Sequence, residues 1–231
     1  MFVWSEQSRA WYIDAARYSS YHREQAALCA SFLHGLSTVA EFGCGPGFLA
    51  MELAMLGFAT TGFDIDAGCV AFARRESAQR HLANIVFEER DALALDAGSS
   101  WDCVVCCHFG DLATDLDTLL SHTRNILLAF VRRPEEEPLV PGRERRCKQD
   151  ASSVAESLRQ RGAGFVRTDC DFEFGQPFAS SGEARNFVRH YTKNALSDSE
   201  AEAFLAPRLV QTPSGFYLPH KKRLALFTIK P

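Results

Sequence analysis

Residues 39–47 read Val39-Ala40-Glu41-Phe42-Gly43-Cys44-Gly45-Pro46-Gly47, and the apolar run Phe48-Leu49-Ala50-Met51 follows at once. An apolar stretch that breaks into alternate glycines and then into a helical pattern reads as strand, tight turn and helix. The strand is expected over 37–42 and the helix over 48–56, with Gly57 stopping it. The same unit repeats downstream. Phe58 to Phe63 is strand-like, Asp64-Ile65-Asp66 closes it, and Asp66 is placed to cap a helix running through Ala73. Ile85-Val86-Phe87 makes a third strand leading to Asp91, Cys103 to Cys107 a fourth, and Asn125 to Val131 a fifth, reached through a helix around Leu112, Leu116, Leu119 and Leu120.

Beyond the fifth strand the pattern changes. Residues 132–148 are charged and proline-broken and read as an exposed loop, after which Ser153 and Glu156 form a capping box for a helix ending near Gly162. From Val166 to Phe174 the odd positions Arg167, Asp169, Asp171 and Glu173 are charged, which describes a sheet-edge strand with one wet face. Leu224 to Ile229 is apolar at both parities and belongs inside the sheet. Between these two strands, Ser180 with Glu183 and Ser197 with Glu200 open two further helices, the second ended by Pro207. Repeated strand-then-helix units with such a finish define an α/β fold. The expected architecture is a doubly wound, seven-stranded, mostly parallel sheet with helices on both faces. Residues 1–34 would form an N-terminal helical lid, and 35–231 the core, with a helical insertion at about 176–220.

The chain has 231 residues, 25 lysines plus arginines against 29 aspartates plus glutamates, and a formal charge of −4. Such a balance makes duplex nucleic acid and anionic membrane poor partners, and no apolar run approaches the roughly 20 residues of a membrane span. The first residues show no basic lead with an apolar run, so a cytoplasmic location is expected, with the cysteines at 29, 44, 69, 103, 106, 107, 147 and 170 as thiols. Cys103-x-x-Cys106-Cys107-His108 could suggest a metal, but in a strand alternate side chains point apart. No metal is expected.

The glycine spacing differs from the G-x-G-x-x-G of a dinucleotide fold. Glu41-Phe42-Gly43-Cys44-Gly45-Pro46-Gly47 resembles the first motif of class I S-adenosylmethionine-dependent methyltransferases. The resemblance implies that Gly43, Gly45 and Gly47 let the backbone approach the cofactor's methionine end, with Glu41 near its ammonium group. It further implies that Asp64 holds the ribose hydroxyls and that Asp91 with Ala92 meets the adenine. Ile65, Cys107 and Tyr18 complete the expected cofactor-binding set. By the same resemblance the last strand of the sheet is antiparallel, the cofactor is S-adenosylmethionine, leaving as S-adenosylhomocysteine, and the activity is methyl transfer by direct in-line displacement.

In this fold the methyl group should emerge near the end of the fourth strand, at Cys107-His108-Phe109. The Asn/Asp-Pro-Pro-Tyr tetrad of base-amine methylation is absent. His108 is the candidate catalytic base, because imidazole exchanges protons near neutral pH. Trp4, Trp11 and Tyr18 recur every seven residues on one helical face, and an aromatic lid over the site is expected. Trp11, Tyr12, Tyr21, Phe109 and Tyr191 are the candidate substrate contacts, suited to a small, partly apolar or cationic acceptor. Arg189 and Lys221-Lys222-Arg223 are the alternative holders of an acidic one. The expected partner is therefore a small-molecule methyl acceptor. A protein or RNA methyltransferase, a non-catalytic cofactor-binding subunit and a nicotinamide oxidoreductase are the competing readings.

Overall fold

Seven strands form the main sheet of the computed structural model, which describes residues 4–141, 149–193 and 195–231. Helices α1 (Glu6–Tyr18) and α2 (Tyr21–Ala30) come first. They are followed by β1 (Thr38–Phe42), α3 (Phe48–Met55), β2 (Ala59–Asp64), α4 (Ala67–Gln79), β3 (Ile85–Glu89) and β4 (Trp101–Cys107). Next are α5 (Leu116–Ser121), β5 (Thr123–Arg132), α6 (Ala151–Gln160) and β6 (Phe165–Glu173). An excursion through β7 (Gln176–Phe178), α7 (Ser181–Tyr191), α8 (Asp198–Leu205), β8 (Val210–Thr212) and β9 (Gly215–Leu218) precedes the last strand, β10 (Lys221–Ile229).

The strand order is β3-β2-β1-β4-β5-β10-β6, with β1 to β5 mutually parallel and β10 antiparallel to both neighbours. The side chains explain the placement of the last two strands. Leu224 and Leu226 of β10 enter the core under α2 and α3, whereas Ala225, Phe227 and Ile229 enter the core under α5 and α6. Both faces of β10 are thus apolar and covered. The edge strand β6 turns Arg167, Asp169 and Asp171 to solvent, where Arg133 and Arg167 pair with them across the rim. Charge along an exposed edge discourages pairing with another chain.

Several local expectations are corrected. Helix α6 starts at Ala151, capped by the Asp150 carboxylate on the amides of Ser152 and Ser153, and Ser153 is the reciprocal box residue. The Ser153–Glu156 box is displaced because a carboxylate three residues upstream offers the better acceptor. The segment after β5 is not uniformly exposed, since Glu136 and Val140 are buried; residues 142–148, with Cys147, lie outside the described residues. The excursion at 176–218 is not purely helical: it carries a three-stranded antiparallel sheet of order β7-β9-β8 beside its two helices. The remaining seven cysteines are free thiols.

At the amino ends of the strands, Asp102 of β4 pins β1. Its Oδ2 accepts from the amides of Ser37 (3.0 Å) and Thr38 (2.9 Å), and its Oδ1 from the guanidinium of Arg124. The Ser37 amide first, then the other donors, hold this carboxyl well below the usual carboxylate range against the opposing effect of burial. Asp102→Ala is expected to lower unfolding free energy by about 2–3 kcal/mol, the scale for losing charge-assisted hydrogen bonds. Urea unfolding checks it, and a change within experimental error would remove this anchor.

Candidate functional site

The turn at 43–47 lies between β1 and α3, where the strand order reverses direction between β1 and β4. In open α/β sheets the crevice at that switch point takes the ligand. Gly43, Gly45 and Gly47 have φ of 71°, 52° and 79°, in the left-handed region that side chains with a Cβ avoid. Space also demands glycine: a Cβ on Gly43 would overlap the ring of Phe109, and one on Gly47 would lie 2.5 Å from Phe87 Cε1. At Gly45 a Cβ would meet only Trp4 Cζ2, at 3.5 Å.

Asp64, the last residue of β2, fastens the turn. Its Oδ2 accepts from the Gly45 amide at 2.7 Å and its Oδ1 from the Asp66 amide at 2.9 Å. Each carboxylate oxygen therefore holds one backbone amide and keeps acceptor capacity for another donor. Asp66 caps α4 through the Cys69 amide at 2.7 Å. Ile65, between them, is 46 % exposed. The Arg90 amide donates to the Asp64 carbonyl at 3.0 Å, which brings the end of β3 alongside. There Asp91 is exposed, capping a single 3₁₀ turn through the Leu93 amide, and Ala92 is buried.

Glu41 lies behind the turn. It is buried, and its Oε2 accepts from the Ala50 amide of α3 at 2.8 Å. Burial pushes its carboxyl up to about 8, the Ala50 bond opposing and the Asp64 charge adding to the rise. In this arrangement Glu41 braces α3 against β1.

A second group collects at the end of β4. Cys107 is approached by Gln25 Nε2 at 3.4 Å and Tyr21 OH at 3.8 Å, both from α2. Burial first of all raises the Cys107 thiol to about 11. His108 follows with φ 56°, an uncommon conformation for a non-glycine residue, its amide donating to the Phe130 carbonyl at 3.2 Å. Phe109 covers Gly43 and meets Phe42 edge-on. Tyr12 bonds His22 Nε2 at 2.8 Å and packs against Trp4 and Phe174.

Other expected contacts lie apart from these two groups. Trp11 is buried against Phe187 and Tyr191 of α7. Tyr18 is 49 % exposed, stacks on Tyr217 of β9, and lines a separate cavity of about 490 Å³ together with Arg17, His22, Phe48 and Arg80. Trp11 and Tyr18 of the repeat thus rest on the excursion at 176–218. Arg9, which no motif marks, and Trp4, the first member of the aromatic repeat, reach the turn instead. Arg9 pairs with Asp66 at 3.5 Å and packs over Gly68, and Trp4 lies above Gly45. Gln25 was findable, since it stands one helical turn after Tyr21 on the same face. Among the described residues no group of three or more His, Cys, Asp or Glu side chains could hold a metal ion, and no helix is long and apolar enough to cross a membrane.

An open parallel sheet with this glycine turn and an acidic residue ending its second strand defines a class I methyltransferase-type fold, and comparisons with known proteins agree. A methyltransferase-domain family profile matches residues 39–128. A Geobacillus sp. (strain WCH70) protein named as a candidate methyltransferase is 36 % identical over 70 residues, 30 % of this chain and 28 % of that relative's length. The YcgJ protein of Bacillus subtilis superposes with a TM-score of 0.59 at 14 % identity, covering 90 % of this chain and 98 % of that one. The magnesium protoporphyrin IX methyltransferase ChlM of Synechocystis PCC 6803, solved with bound S-adenosylhomocysteine, gives 0.52 at 17 % identity over 98 % of this chain and 89 % of that one. Residues 39–128 thus match a methyltransferase domain, and the chain as a whole has the class I, Rossmann-like methyltransferase fold.

The upward shift of the Glu41 pKa has a defined sign for stability. A carboxyl that is harder to ionise folded than unfolded stabilises the fold below about pH 4.5, and this contribution is lost as pH rises through about 8. The ligand-free protein should therefore lose stability across that interval, by up to roughly 1.4 kcal/mol per pH unit from this group. Glu41→Gln keeps an acceptor for the Ala50 amide and should flatten the slope. Denaturant titrations of both proteins at pH 5 and pH 8.5 test it, and parallel curves would count against a buried, reluctant carboxyl.

Proposed function

We propose that the chain is an S-adenosylmethionine-dependent methyltransferase acting on a small-molecule acceptor. One observation carries the reading: a turn of three left-handed glycines is tied by Asp64 to the adjoining loop at the switch point of the sheet. The residues present fit such a cofactor. The turn brings backbone close to a ligand, and the remaining acceptor capacity of Asp64 suits a vicinal diol. The exposed Ile65 and Asp91, with Ala92, flank the place where an adenine ring would lie. Phe109, beside Gly43, would border the sulfur end.

The bound cofactor would supply an electrophilic methyl group on a sulfonium. The chain's own residues then have modest tasks: to align the acceptor, to keep water out and, for an acceptor that carries a proton, to receive it. Alignment alone supplies much of the acceleration of such a displacement. His108, held in its left-handed conformation at the end of β4, is the candidate proton acceptor. Tyr12, Tyr21 and Phe109 are the candidate acceptor contacts beside it. Trp11, Tyr191 and Tyr18 would act indirectly, by holding α1 against the excursion.

Calorimetry with S-adenosylmethionine and S-adenosylhomocysteine tests the reading directly, and no heat with either ligand would end it. Asp64→Asn, which keeps one acceptor oxygen for the turn, should weaken S-adenosylhomocysteine binding by about 1.5–3 kcal/mol, the scale for hydrogen bonds to a charged group. Unchanged affinity would move the ribose contact elsewhere. His108→Gln should lower turnover while leaving that affinity unchanged. Labelled cofactor incubated with a host extract, followed by mass identification of the product, would name the acceptor; binding without any labelled product would favour a non-catalytic cofactor-binding subunit.

A further inference from the structure

A buried ion pair stands at the carboxyl end of the sheet, outside the cofactor turn. Glu136 and Lys222 are each less than a tenth exposed, with Lys222 Nζ 3.3 Å from Glu136 Oε1. The other oxygen, Oε2, accepts from the Arg223 amide at 3.3 Å, and His220 Nε2 lies 3.8 Å from Oε1, an ionic rather than a hydrogen-bonding distance. Burial opposes ionisation of Glu136, yet the His220 imidazole, the Lys222 charge and His108 together hold it down to about 2. One buried carboxylate thus faces both the Lys222 ammonium and the His220 imidazole.

The strand register fixes where this cluster points. Lys222 is the antiparallel partner of Phe172, and Leu224, two residues on, shares the core with Phe172, Phe130 and Tyr21. Side chains two apart on a strand share a face, so Lys222 lies on the face that Cys107, Tyr21 and α2 occupy. Phe172 meets the Tyr21 ring at 5.6 Å, and Tyr21 in turn meets Cys107. The charges are felt there: Lys222 favours the Cys107 thiolate, and Glu136 opposes ionisation of Tyr21.

A buried ion pair is a poor stabiliser, because desolvation cancels most of the attraction and an apolar pair of similar volume serves the fold as well or better. Its position is the functional clue, since ligands of open α/β sheets bind beyond the carboxyl ends of the strands. We infer that Lys222, held in place by Glu136 beside His220, is the specificity residue for an acceptor that bears a carboxylate. This deepens the methyltransferase reading and rests on it for the word acceptor. The flanking rings of Tyr21, Phe172 and Phe174 suit a flat or aromatic carrier of that carboxylate. Phe172 is the register partner of Lys222 and packs on Tyr21 of α2, so entry of such a carrier takes a displacement of α2.

Benzoate and its neutral counterpart benzamide are the probes, each titrated against the full chain by calorimetry and thermal shift, with and without saturating S-adenosylhomocysteine. Benzoate is expected to bind and to raise the melting temperature, benzamide to do neither. Lys222→Met should weaken benzoate by at least about tenfold, the scale of one charge-assisted hydrogen bond, while S-adenosylhomocysteine affinity stays unchanged. Because Lys222→Met leaves Glu136 buried without its main counter-charge, the double variant Lys222→Met with Glu136→Gln is measured beside it and should show the same loss. Benzamide binding as well as benzoate, or benzoate binding that survives in the double variant, would overturn the inference, as would no benzoate binding to the unsubstituted chain. A chain that binds benzoate through Lys222 but no S-adenosylhomocysteine would instead overturn the methyltransferase reading and leave the anion site standing.

Discussion

The carboxylate of Asp64 is where the architecture of the sheet becomes a binding site. Parallel strands leave their loops at one end, and loops are free to lie in many ways unless something fastens them. Here one side chain grips the Gly45 amide with one oxygen and the Asp66 amide with the other. The first grip fixes the turn before α3. The second fixes the residue that caps α4. Two helices and two strands thus take their relative positions from a single acidic group. The left-handed glycines follow from the same constraint, because the chain must double back beneath Asp64 while Phe109 and Phe87 press against it.

This part of the fold was legible in the sequence because each device is local. Alternate glycines, an aspartate closing a strand, and capping residues three positions from their partners are all signals within a few residues. The interior place of β10 was legible too, since apolar residues at both parities leave a strand no wet face. Less was readable where strands are three or four residues long. Val210–Thr212 and Gly215–Leu218 pair across a tight turn without enough length to show alternation. The burial of Glu136 and Lys222 was hidden for a different reason. Charged residues in a proline-broken loop and before a strand look solvated, and only the tertiary approach of residues 86 apart in the chain removes them from water.

The helices ahead of the sheet show the same division. Their aromatic repeat was plain, and it does mark a packed face, but the partner of that face is the excursion after β6. Trp11 sits on Phe187 and Tyr18 on Tyr217. Residues of the first twenty-two also enter the main core, with Ala15 and Tyr21 buried. Removing that segment would strip rings and methyl groups from two hydrophobic clusters, at about 3–5 kcal/mol for each large aromatic. Helix α1 is therefore part of the packing of both the main core and the excursion.

That double role has a geometric consequence. Trp4, just ahead of α1, and Arg9 in its first turns reach the glycine turn at Gly45 and Asp66; along its length Trp11 and Tyr18 grip the excursion; and on another side Tyr12 leads through His22 and Phe174 toward Tyr21 and Cys107. A rigid helix that contacts three regions cannot shift at one of them without shifting at the others. Whatever loosens Trp4 and Arg9 from the turn also loosens the aromatic packing in front of Cys107. Opening of the turn and opening of the space beyond β4 would in this sense be one movement, opposed together by the Arg9–Asp66 pair at 3.5 Å, the Arg17–Glu76 pair at 2.7 Å, Trp4 over Gly45 and the burial of Trp11, Ala15 and Ala16.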